Sequence, residues 1–488
     1  MPLFGGVTIP KCPDLENCAR VDRLAIPMIM RAHRLGIMID PPYFHELTGR
    51  FNAEIVELEK DIASYIPIDR LNEFSDKGTD DDTDDGNDVD APVSTFNASS
   101  PEQIGKLLFD MLNIGTEKKL KRTKKGVSTG KRQLELVKLE NPVVPLVLRH
   151  RELKTLVKNY SSKLPRMAIL HHRGPCCPVC ELPHDIDQYR IHGEMGTTRA
   201  ATWRINHTKP NLGNCPIRTK DGQAITAGFV APPGKRIVNR DMSQIELRDL
   251  AHLSNCKSMI DVYAADGDIH DDTSRRVFNL SPGEKPDKIR HRMAAKRVSY
   301  GIQNGTTEKG LYLQLVMDYG TNKMPIPDWL TEAWCAWFIT AWLDSRPEVR
   351  EYFELCHYRA RRYGRSWNPF GFSRLIPEIR STHPWILEAG LRQAQNLPVT
   401  SLAAGQLKIA MGKSDALLQD LYDAGSWCWP LLCVHDSIMA EADEDVADDV
   451  NELIGVAMDT CMDDEQTGAH MLHVPLTSDG SVTERWTK

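Results

Sequence analysis

Apolar and polar positions along the chain fall into patterns that predict its elements. Residues 236–239 (RIVN) are a short apolar run with a β-branched centre, which predicts a buried strand. Beyond it Ile245, Leu247, Leu250, Ala251 and Leu253 recur at near-helical spacing, so Asp241 stands where a strand turns into a helix. Residues 430–436 (PLLCVHD) are a second buried run that ends in a carboxylate, Asp436. Residues 290–305 read as a helix, and Arg292, Lys296 and Tyr300, each four apart, share one face of it. Residues 23–65 hold two helical patterns separated by Gly36 and Pro41-Pro42, and residues 142–163 read as one long helix. Ser100-Pro101-Glu102-Gln103 opens another helix, with Ser as N-cap and Pro in the first turn. Trp334, Trp337 and Trp342 alternate with apolar residues and read as core.

Composition narrows the class. The chain has 488 residues, 41% hydrophobic, enough for more than one domain. Its net charge of −7 means that any nucleic acid must bind local basic patches on an acidic body. Residues 118–132, with eight basic residues and no acidic one, read either as a solvated charged loop or as such a patch. Residues 75–92 are an acidic low-complexity run without the Glu and spacing of an EF-hand loop, and read as a solvated insertion. No apolar run is long enough for a membrane span, and the N-terminus lacks a signal peptide's plan. The 12 scattered Cys fit a reduced, cytoplasmic chain.

The candidate chemistry follows from residue type. A carboxylate on a rigid strand end suits Mg²⁺, which takes few protein ligands and keeps phosphates as the others. Two cations and a ring on one helical face fit a nucleoside triphosphate. Cys177-Pro178-Val179-Cys180 has zinc-knuckle spacing, with Cys176, His184, His171 and His172 nearby as further ligands for Zn²⁺. A loop of free thiols is the other reading of that stretch, and the sequence leaves both open.

These stretches resemble motifs A (DMSQIELRDLAHLS), B (RHRMAAKRVSYGIQNG) and C (VHDS) of family A DNA polymerases. The likeness runs from about residue 24 to the end. It implies an α+β right-hand polymerase, with an antiparallel palm sheet and mostly helical fingers and thumb. The implied layout is a leader at 1–22 and a thumb at 23–170. Palm follows at 171–254, including the Cys/His insertion 171–189, then fingers at 255–382 and palm again at 383–488. The resemblance implies a monomer that adds dNTPs to the 3′ end of primer–template DNA. Asp241, Asp436 and the Met242 carbonyl would hold two Mg²⁺ ions. Lys296 and Arg292 would hold the triphosphate together with His270 and Gln244, Tyr300 would lie by sugar and base, and Glu246 would exclude a 2′-hydroxyl. Arg204, Asn211 and Asn214 would touch the minor groove, where Arg and Asn meet acceptors common to every base pair. Asn304, Gly305, Arg392, Asn396 and His435 would also lie at the DNA.

This chain departs from the family at five places, one of them Thr400, where the family usually has Gln. Of the other four, the Gly of the TGR motif is Trp203, a usual Gln is Gly213, a Tyr is Asn304, and the carboxylate after Asp436 is Ser437. The last two predict altered mismatch discrimination. Only about 22 residues precede the thumb-like region, so the expectation is a polymerase without exonuclease domains, of a phage or mobile-element kind. Editing or processivity would then come from separate chains. A single-subunit RNA polymerase shares the two Asp residues but spaces Lys and Tyr more widely and lacks the Glu. A non-catalytic primer–template-binding factor would have tolerated loss of either Asp.

Overall fold

The computed structural model describes residues 14–74, 96–115, 120–124, 126–217, 219–281, 283–321, 324–463 and 472–487. The acidic run, most of the leader, and residues 118, 119 and 125 of the basic stretch lie outside these residues. The fold is α+β, and its described residues form two compact units. One contains the residues up to Asp40, Met167–Leu315 and those from Ile326 onward; the other contains Pro41–Arg166 and Val316–Pro325.

The first unit is built on a four-stranded antiparallel sheet. Its strands are β1 (Lys235–Met242), β2 (Cys428–Val434), β3 (Ser437–Asp443) and β4 (Ser478–Thr483), in the order β2-β3-β1-β4. β1 is flanked on both sides, which explains its unbroken buried run Ile237, Val238, Asn239. Asp241 pairs with Ser437 on one side and Asp479 on the other. Directly paired residues share a face, so these three side chains stand in one row. Arg240 points the other way, where the helix Ala447–Asp459 packs. Its guanidinium donates to Ser478 Oγ (2.8 Å) and Ser478 O (3.0 Å) and lies against Gly455, where a Cβ would come within 2.5 Å of it. One face of the sheet is therefore closed by a helix, and the carboxylates occupy the opposite face.

Helix α1 (Leu15–Leu35) buries Val21, Ala25, Met28, Ala32 and Leu35, a helical stripe, against the 40-residue helix Pro384–Asp423 and β2. Residues 23–40, which sequence grouped with the thumb, thus pack with the sheet. α1 stops at Gly36, whose φ of +69° suits glycine and where a Cβ would sit 2.8 Å from the Ile191 carbonyl. Arg190, fully buried, ties the strand Gln188–Ile191 to the sheet through Glu441 on β3 (2.8 and 3.0 Å). Of the three Trp, Trp342 is core and donates to Ser299, whereas Trp337 is exposed.

The second unit packs the helices Pro41–Ala63 and Val143–Leu156 side by side. Ile62, Leu107, Leu108, Val143, Val144 and Val147 form its core. Arg149 forks onto Glu54 (2.7 and 3.0 Å), and the buried His150 meets Glu59 at 2.9 Å. The Ser100 cap forms as its sequence predicts, accepting from Gln103 N at 3.3 Å. The expected helix 142–163 instead widens into a π turn at Val157–Ser161.

Candidate active site

Asp436 occupies the two-residue turn between β2 and β3, since Val434 pairs with Ser437. Its carbonyl accepts from Met242 N at 3.1 Å, which brings the turn beside the end of β1. Two carboxylates remote in sequence thus reach neighbouring strand ends on a rigid sheet. His435, the first turn residue, is exposed and has φ +59°, a conformation uncommon outside glycine. Ser437 is buried, and its hydroxyl donates to Val434 O (2.9 Å). Asp479, which sequence reasoning did not single out, adds a third carboxylate to the row and accepts from Ser243 Oγ.

Gln244 caps helix α2 (Ile245–Ser254) from a left-handed conformation (φ +54°), and its Oε1 accepts from Tyr263 OH at 3.2 Å. The chain therefore turns for two residues before the helix begins, where sequence started the helix at Met242. Glu246, in the first turn, accepts from Arg204 and from Gln303 Nε2 (3.0 Å). Arg204 is thus held by a carboxylate, with 42% of its side chain still exposed.

The expected helix at 290–305 begins as a π turn, Lys288–Met293, and continues as α4 (Ala294–Gln303), following α3 (Ile269–Phe278) in the chain. Arg292 N bonds Asp287 O (3.0 Å), five residues back, so Arg292 and Lys296 are not on one regular α-helical ladder. The Arg292 guanidinium pairs with Asp268, the N-cap of α3, and with Asp271 (3.0 Å). The hydrogen bond that Arg292 donates to the Asp268 carboxylate holds the Arg292 pKa above its ordinary value. Lys296 is exposed. His270 is buried, with its ring centroid 5.7 Å from that of Tyr300, and burial pushes its pKa down to about 4. It is therefore neutral at physiological pH, and its Nδ1 has no protein partner.

Asn304 Nδ2 donates to Tyr300 O (2.8 Å), and its Oδ1 accepts from Asn396 Nδ2 (2.9 Å). Gly305 (φ +64°) lies so close to Arg392 that a Cβ would come 2.3 Å from its Cγ. Asn211 and Asn214 are exposed. Between them Gly213 abuts His207, 2.5 Å from where a Cβ would be, and His207 Nε2 donates to Cys433 O (2.6 Å). A Gln at 213 would break that contact with β2. Trp203 has φ +65°, which explains why the family uses Gly there. In compensation its ring stacks on Phe372 (5.1 Å), and Lys408 Nζ lies 4.1 Å over it.

In the Cys/His insertion, Cys177, Cys180 and His184 converge as sequence proposed, but Cys176 is exposed and outside the group. His171 fills the fourth place, because it ends the strand Ile169–His171 and is carried inward by it. Sequence reasoning also missed Gln303, Asp268 and Asp271 as the partners of Glu246 and Arg292. The acidic residues beside His270 were the one available signal.

The description "DNA polymerase family A" matches residues 69–488, and the chain belongs to that family. Thermostable DNA polymerase I of Thermus filiformis is 34% identical over 391 residues, 80% of this chain and 42% of the relative. DNA polymerase I of Deinococcus radiodurans is 31% identical over 487 residues, 99% of this chain and 44% of the relative. The chain thus spans less than half the length of these curated relatives. Among solved structures, the POL domain of Pol1 from M. smegmatis, in complex with DNA primer–template and dNTP, has a TM-score of 0.73 and 26% identity. That match covers 96% of this chain and 72% of the other. No described helix is long and apolar enough to cross a membrane.

Proposed function

We propose that this chain is a template-directed DNA polymerase that adds dNTPs to a primer 3′-hydroxyl by two-metal phosphoryl transfer. The observation that carries the reading is the pairing of β1 with β3 together with the bond from Met242 N to Asp436 O, which bring the turn holding Asp436 beside the end of β1 that holds Asp241. An all-oxygen donor set of two carboxylates and the Met242 carbonyl fits Mg²⁺. Mg²⁺ bound there would neutralise phosphate charge and acidify the primer hydroxyl.

The chain's own groups then divide the remaining work. Lys296, exposed beside Tyr300, approaches the leaving phosphates. Arg292 grips the γ-phosphate by exchanging Asp268 and Asp271 for phosphate oxygens, an exchange of one charge-assisted partner for another. His270, neutral, offers a ring N–H as donor. Glu246 crowds the sugar 2′ position from a fixed orientation, since Arg204 and Gln303 hold both its oxygens. Arg204, Asn211, Asn214, Arg392, Asn396 and His435 line the primer–template path. In this reading β1–β4 are the palm, the segment around α3 and α4 is the fingers, and the Pro41–Arg166 unit is the thumb.

A primer-extension assay with dNTPs and Mg²⁺, with rNTPs as control, tests the proposal. Extension with dNTPs and its loss on chelation are expected. Extension with rNTPs alone would identify an RNA polymerase, and tight primer–template binding without extension a non-catalytic factor.

A further inference from the structure

One buried cluster of chemistry-bearing side chains has no part in phosphoryl transfer. His171, Cys177, Cys180 and His184 bring one ligand atom each within 4.8 Å of one another. We propose that these four residues bind a structural Zn²⁺ that staples the insertion to the sheet-bearing unit. Tetrahedral Zn²⁺ with bonds of about 2.0–2.3 Å needs ligand atoms about 3.3–3.8 Å apart. Cys180 Sγ lies 3.0 Å from His184 Nε2, and His171 Nδ1 lies 3.3 Å from the same nitrogen. The cluster is already near that size.

The surrounding hydrogen bonds select the ligating atoms. His192 Nδ1 lies 2.7 Å from His33 O, and a carbonyl only accepts, so this nitrogen carries the proton. In the neutral ring, His192 Nε2 is then a lone pair, and it stands 2.9 Å from His171 Nε2. That nitrogen must be the donor, which leaves the His171 Nδ1 lone pair facing the cluster. A carbonyl–His–His chain of this kind is an outer shell that holds a ligand in its binding tautomer.

The backbone folds to match. Val179 N points at Cys177 Sγ (3.4 Å), Glu181 N bonds Cys177 O (2.7 Å), and Cys177 N bonds Leu182 O (2.9 Å). This tight turn around Cys-x-x-Cys presents both sulfurs on one side. Gly174 and His184 close the loop with a reciprocal pair of 2.9 Å bonds. Outside the cluster, Arg34 of α1 donates to Cys180 O (2.5 Å) and pairs with Glu181 (3.0 Å). The insertion leads directly into Gln188–Ile191, the strand whose Arg190 holds Glu441 on the sheet. Without a cation the loop would bury two thiols and two imidazoles with few partners of their own, a costly arrangement for a segment with little apolar core.

The test is metal analysis of the full chain, expressed with added zinc and purified without chelator. One Zn²⁺ per chain is expected, retained by Cys176→Ser and lost from Cys180→Ser and His184→Ala. Because the last two variants can fail by misfolding, two measurements use the unaltered protein. Thiol alkylation should modify Cys176 at once and spare Cys177 and Cys180 until chelator is added. Replacement by Co²⁺ should give the intense visible bands of a tetrahedral site and a thiolate charge-transfer band. Metal well below one per chain, equal reactivity of all three thiols, a weak octahedral Co²⁺ spectrum, or loss of metal from Cys176→Ser would each overturn the assignment.

Discussion

Arg190 and Glu441 form an ion pair with both side chains at 0% exposure. Arg190 Nε also donates to Gln188 Oε1 (2.6 Å) and Nη1 to Gly36 O (2.9 Å), while Glu441 Oε1 accepts from Trp427 Nε1 (3.1 Å). Each guanidinium nitrogen thus donates, and the carboxylate supplies the only compensating charge among these partners. Glu441→Gln removes that charge and leaves Arg190 buried as a cation. Breaking a buried pair in this way costs about 3–5 kcal/mol. Replacing both partners, Arg190→Met with Glu441→Leu, removes the stranded charge, and the loss should shrink to about 1–2 kcal/mol, chiefly from Trp427 and Gly36 left without partners. Urea unfolding followed by tryptophan fluorescence measures both variants. Glu441 lies four residues from Ser437 along β3, about 13 Å from the carboxylate row. The folded fraction of either variant should therefore retain primer extension at low temperature. A Glu441→Gln loss below about 1 kcal/mol, or a double variant weaker than the single one, would refute the reasoning.

Three further outcomes follow from the site. Glu246→Ala frees the sugar pocket and should raise rNTP use relative to dNTP by ~10²-fold, read as the ratio of kcat/KM values; an unchanged ratio removes Glu246 as the gate. Asn304→Tyr should lower misincorporation opposite a fixed template base in single-nucleotide assays, and an unchanged error rate denies the position that role. His270 has a folded pKa of about 4, below its unfolded value near 6.5, so the unfolded state binds the extra proton between these values. Its contribution is intact above pH 6.5 and is lost as pH falls towards 4, by about 2–3 kcal/mol at pH 4.5. Urea midpoints at pH 7 and 4.5 should therefore differ less in His270→Asn than in the unaltered protein.

Much of this site was legible because its residues sit on long periodic elements. The run at 236–239 is a strand, Asp241 lies one residue before the end of β1, and Asp436 lies in the turn between β2 and β3, of which β3 pairs with β1. Yet β1 extends to Met242 through Arg240 and Asp241, since pairing on both sides and a Ser478 contact satisfy polar residues that a periodicity count reads as exposed. The π turn holding Arg292 left no mark in the spacing, and the partners of its guanidinium, Asp268 and Asp271, lie on another element. Likewise Arg204 finds Glu246, and Asp241 finds Asp479, only through tertiary pairing. Cys176 and Cys177 are neighbours in sequence with opposite fates, which depend on the direction of a tight turn rather than on composition. Residues 23–40 were grouped with the following helix by continuity, whereas the buried stripe of α1 matches the sheet-bearing unit.

The central claim is that Asp241 and Asp436 together supply the acid pair for phosphoryl transfer. Rapid-quench measurement of single-dNTP incorporation, alongside primer–template affinity, tests it in the unaltered protein, Asp241→Ala and Asp436→Ala. The account predicts near-normal DNA affinity in all three, with incorporation slowed on the order of 10³-fold or more in each variant. Incorporation within about tenfold of the unaltered rate in either variant, with DNA still bound, would contradict it.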